Sequence, residues 1–128
     1  MVELASTKEW PDSSFPTAFV GGTQVNEELT NKVIKVLQEA NDWRAAHYEE
    51  SITEAASLLK LDAAKVKADA ANVKVMTTED LVNKTKDGTV AKWLNSLGDF
   101  FVSTGQLKSK ADPAAYYTGD LYTKAFTK

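Results

Sequence analysis

The chain has 128 residues, 43% of them hydrophobic and 26% charged, with a formal net charge of −3. Its mass of 14.0 kDa suits one hydrophobic core, and the ordinary balance of apolar and charged residues argues against disorder. An acidic pI near 5.2 leaves no electrostatic footprint for nucleic acid or an anionic membrane, and zero cysteines remove disulfides, thiolate catalysis and thiol-ligated metals.

Taken in chain order, Val2–Ala5 alternates weakly and reads as a strand, while Thr17–Val20, bounded by Pro16 and Gly21-Gly22, reads as a second. The stretch between them, Lys8 to Ser14, is turn-rich. A first helix is expected from a cap at Asn26 to about Arg44, burying Leu29, Val33, Val36, Leu37, Ala40 and Trp43. On its wet face Glu28 and Lys32, and Lys35 and Glu39, stand four apart and support the helix. A second helix, about His47 to Lys60, buries Tyr48, Ile52, Ala55 and Leu59; Asp62 caps a third that runs to about Asn72. Val73–Met76 is extended by propensity.

Thr77 or Thr78 then caps a brief helix carrying Leu81 and Val82, with Asp80 in its first turn complementing the dipole. Asp87-Gly88 is the clearest turn, and Thr89 restarts a helix whose stripe is Val90, Trp93, Leu94, Leu97, Phe100 and Phe101. Gly105 follows its last turn, where a left-handed residue is expected. Asp112-Pro113 reads as N-cap and first helical residue, and Tyr116, Tyr117, Tyr122 and Phe126 are expected to fasten the end of the chain to the body. No apolar run approaches the ~18 residues of a membrane span.

Constellations for catalysis are missing, so no catalytic residue and no cofactor are assigned and the chain does not read as an enzyme. His47, the one histidine, has no cysteine or second histidine to work with, and reads as a surface or satisfied residue. Glu49, Glu50 and Glu54 near it read as a solvated acidic face, not a metal site, and Glu79-Asp80 reads as helix-start chemistry. Gly21-Gly22 lacks the lysine and serine of a phosphate loop. Trp10 belongs to no periodic face: it reads either as a core plug or as the best ligand-contact candidate in the chain.

Two stretches carry a resemblance: DFFVSTGQLKSKADPAAYYTGDLYTKAF at 99–126 and FPTAFVGGTQVNEELTNKVIKVLQEANDW at 15–43. In order and spacing they resemble the C-terminal part of the substrate-binding proteins of nitrate, sulfonate, taurine and thiamine-precursor ABC importers. The resemblance implies that residues 1–128 are a single domain, the C-terminal segment of a larger two-lobed protein. It implies a parent that captures a small polar or anionic solute (sulfonate, nitrate or pyrimidine-like) without turnover and delivers it to an ABC permease. The implied place is periplasmic or extracellular, soluble or lipid-anchored, with no signal peptide in this segment and Met1 reading as an added initiator. By position only, Ser6 and Thr7 would hydrogen-bond the solute head and Trp10 would wall it. The fold so implied is α+β and mostly helical, a fragment of a type II periplasmic-binding-protein fold with two short N-terminal strands and five or six helices. The exposed edges of Val2–Ala5 and Thr17–Val20 would pair copies of the chain into a homo-oligomer. The alternative is a stand-alone helical protein-interaction module.

Overall fold

A computed structural model describes residues 15–22, 24 and 26–126. Their order is six helices and one 3₁₀ turn: α1 (Glu27–Ala46), α2 (Tyr48–Leu59), α3 (Ala63–Ala70), α4 (Thr78–Lys86), α5 (Thr89–Ser103), the turn Pro113–Ala115, and α6 (Gly119–Ala125). No strand occurs among the described residues, which overturns the expected α+β fold with its two N-terminal strands. Thr17–Val20 is irregular backbone with no ladder partner, and Phe19 and Val20 are 83% and 94% exposed. Propensity alone does not make a strand; a row of unpaired amides and carbonyls needs a neighbour. With it goes the strand edge expected there to pair copies of the chain, and Val2–Ala5 lies outside the described residues.

Three of the six helix starts, those of α1, α3 and α4, are written in polar side chains. Asn26 Oδ1 accepts the Leu29 amide at 2.8 Å, and Asp62 Oδ1 accepts that of Lys65 at 3.0 Å. Thr77 and Asp80 form a reciprocal capping box on α4, 3.2 and 3.4 Å long. Three stops use the left-handed region: Gly105 at φ 74°, after which the amides of Gln106 and Leu107 return to the Phe101 carbonyl, Gly88 at φ 82° after α4, and Lys60 at φ 56° between α2 and α3.

α1 lies along α2, α4 and α6; α4 sits among α1, α5 and α6; among the described elements α3 packs only on α2. Among the described residues the buried apolar side chains are few: Ile52, Ala56, Val82, Val90 and Ala125. α1 departs most from expectation. Its predicted buried stripe is largely wet, with Leu29, Val33, Val36, Ala40 and Trp43 all exposed, while the side facing the body buries Gln38. In α2, Ile52 is buried as expected and Leu59 is not. α3 stops at Ala70, two residues short of the predicted end.

Candidate functional site

The sequence-derived candidates Ser6, Thr7 and Trp10 lie outside the described residues, so the structure does not place them. What it does bring together is a polar junction of α1, α4 and α6. Gln38 Nε2 donates to the Tyr122 carbonyl at 2.9 Å, and Asn41 Nδ2 donates to the Met76 carbonyl at 2.7 Å. Asp42 Oδ1 accepts the Thr78 amide at 2.6 Å, and the Thr78 hydroxyl, wholly buried, donates to the Gln38 carbonyl at 3.1 Å. Burial pushes the Tyr122 phenol above its ordinary value. Spacing of 38, 41 and 42 puts all three side chains on one helix face.

Beside this junction is a hollow of about 410 Å³ lined by Asp42, Ala45, Ala46, Thr77, Glu79 and Phe126. It opens next to the N-terminus of α4, the end of a helix dipole that ordinarily favours an anion. Here the protein's own groups already occupy that end: Asp42 takes the Thr78 amide, and Thr77 takes that of Asp80. An incoming anion would meet the carboxylates of Asp42 and Glu79 in the lining, so this hollow is built against anionic solutes.

A second hollow, about 440 Å³, lies along α5 between Thr89, Lys92, Trp93, Asn95, Ser96 and Asp99. Lys84 holds its ammonium 5.7 Å from the centre of the Trp93 ring. Asp99 is paired with Lys110 at 2.7 Å. Asp87 sits at the start of the same helix, where hydrogen bonds from the Thr89 hydroxyl and amide, and to a lesser degree Lys84 and Lys92, hold its carboxyl below the usual range. Sequence periodicity assigned Trp93 to the core, and no linear signal announces the wall it forms with Lys84 and Lys92.

Both hollows are open to water, and neither encloses a small molecule as a ligand pocket does. His47 stacks on Trp43 with ring centres 5.0 Å apart, its Nδ1 3.0 Å from the Trp43 carbonyl oxygen. Glu49 pairs with Lys67 at 2.7 Å. Among the described residues no group of three histidines or carboxylates is placed to hold a metal, and no helix is long and apolar enough to cross a membrane.

Among the described residues the body is all helical, and its two hollows are open to the surface. Over nearly its whole length the chain is similar to proteins from Brucella abortus, Brucella suis and Brucella melitensis described as "Putative binding protein". Each is 42% identical over 127 residues, a match that covers 96% of this chain and 40% of the relative. The chain therefore spans about two-fifths of the length of the curated relatives it matches. No family model and no solved structure matches it.

Proposed function

We propose that this chain is the C-terminal part of a longer solute-binding protein that serves an ABC importer. The observation that carries this reading is the 42% identity, along 96% of the chain, to longer proteins described as binding proteins. The solute is small and polar or anionic (sulfonate, nitrate or pyrimidine-like), the compartment periplasmic or extracellular, and the downstream partner a membrane permease. No bond chemistry is required of such a protein. Ser6, Thr7 and Trp10 are the contacts this segment contributes.

Calorimetry on the longer protein with a panel of sulfonates, nitrate and pyrimidines tests the reading. Saturable binding to one class is expected, and a folded sample that binds none overturns it. This chain alone should bind the same solute at millimolar strength or weaker, since losing half the contacts of a micromolar complex forfeits about 4 kcal/mol. Micromolar, saturable shifts on the 128-residue chain that vanish in Trp10→Ala would show that it carries more of the site. A stand-alone helical interaction module is the second reading, favoured by the exposed apolar face of α1. It requires capture of a separate protein, which no solute titration would reproduce.

A further inference from the structure

α1 has its amphipathicity turned outward with respect to the described body. Leu29, Val33, Val36, Ala40 and Trp43 recur at alternating steps of four and three, forming one seam about 21 Å long. Leu29, Val33, Val36 and Trp43 are 50%, 47%, 64% and 42% exposed, and Ala40 is exposed as well. On the inward side Gln38, Asn41 and Asp42 grip backbone groups of Met76, Thr78 and Tyr122. A helix that, besides its half-buried Ile34 and Leu37, carries a continuous apolar seam on the face away from its neighbours is patterned for burial by something those neighbours do not supply.

We propose that this seam is an internal docking surface, covered in the longer protein by an apolar face of the roughly three-fifths of the polypeptide that this chain does not span. Two observations single out that occupant. The relatives match almost all of this chain yet extend far beyond it, so in them α1 is joined to a large further stretch of protein. The seam is also too small for a stable pair of free copies. Four half-exposed side chains of this size offer on the order of 350 Å², against ~800 Å² per partner in a standard interface. A cover on the same polypeptide avoids the entropy lost in joining two free molecules. The inference depends on the longer chain and not on any solute.

Carbene footprinting tests it, using this chain and the Brucella abortus relative, each at low micromolar concentration and each normalised to its own denatured sample. The peptide spanning residues 26–46 should be labelled freely here, and its counterpart in the relative several-fold less; the peptide holding Val82 serves as a protected reference in both. Equal labelling of the two α1 peptides overturns the proposal. Protection in this chain that grows with concentration also overturns it and assigns the seam to a second copy; protection independent of concentration assigns it to residues elsewhere in this chain. As a second measurement, Val33→Glu with Val36→Glu should leave the melting temperature of this chain unchanged, and a marked fall would contradict the exposure on which the inference stands.

Discussion

Asp42 accepts a 2.6 Å hydrogen bond from the backbone amide of Thr78, joining the C-terminal part of α1 to the first residue of α4. Thr78 is fully buried, so its amide has no water to turn to if the carboxylate goes. Asp42→Ala should therefore destabilise the protein by about 1–3 kcal/mol, the usual penalty for an orphaned buried donor. Asp42→Asn keeps the carbonyl and should lose less. Urea unfolding measures both, and Thr78 amide exchange should quicken in the alanine variant. An alanine variant as stable as the parent would remove the bond from the account of how α4 is held.

Gly119 opens α6 where no side chain fits. A Cβ there would stand 2.5 Å from Tyr117 Cε1 and 2.7 Å from Thr85 Cγ2, and those two residues are tied by a 2.8 Å bond between their hydroxyls. Gly119→Ala should destabilise by about 1–3 kcal/mol through overpacking. In a Tyr117→Leu background, where the ring is gone, the same change should be milder. Equal losses in both backgrounds would mean the ring is not the obstacle.

Gly88 separates α4 from α5 at φ 82°, with nothing within 4 Å of a built Cβ. The effect of Gly88→Ala is thus backbone strain alone, about 1–2 kcal/mol. Gly88→Asn should recover part of it, because asparagine tolerates this region better. Thermal melts of the two variants decide the point, and an alanine variant that melts with the parent would refute it.

Among the described residues two groups tie stability to pH. The Asp87 carboxyl lies below its ordinary 3.8, first because of the Thr89 hydroxyl and then the Thr89 amide. Its contribution is present above pH 3.8 and is lost as pH falls through the folded value. Tyr122 lies above its ordinary 10.0 because burial disfavours the phenolate. Its contribution is complete below pH 10.0 and is lost as pH rises through the folded value. Asp87→Asn should flatten the acid limb and Tyr122→Phe the alkaline one. Limbs that survive unchanged in the variants belong to other groups.

Local chemistry was readable from sequence wherever a single residue decides it. The caps Asn26, Asp62, Thr77 and Asp112, the Asp87-Gly88 turn and the left-handed Gly105 all stand where the residue types put them. Each depends on bonds within a few positions. What failed depends on distant partners. Periodicity found the α1 stripe but not which side of the helix the body covers, because Gln38, Asn41 and Asp42 carry no apolar signal. Thr17–Val20 had strand propensity without a strand to pair with. At the end of the chain Tyr117 is fastened through Thr85, while Tyr116 remains 53% exposed. Nothing in the sequence separates those neighbours, and the ligand contacts read from it lie outside the described residues.

Three of the hydrogen bonds that tie α1 to its neighbours run from its side chains to their main chain. Gln38, Asn41 and Asp42 hold a carbonyl of Tyr122, a carbonyl of Met76 and an amide of Thr78. Every residue except proline offers both groups, so the grip scarcely reads what stands at 76 or 122. Variation at position 76 is therefore freer than at the three holders, whereas the half-buried Tyr122 and the buried Thr78 hydroxyl are held through their own side chains. Randomising Met76 should return many folded clones, and randomising the three holders few. At that point α1 fixes the position of its neighbour without dictating its composition.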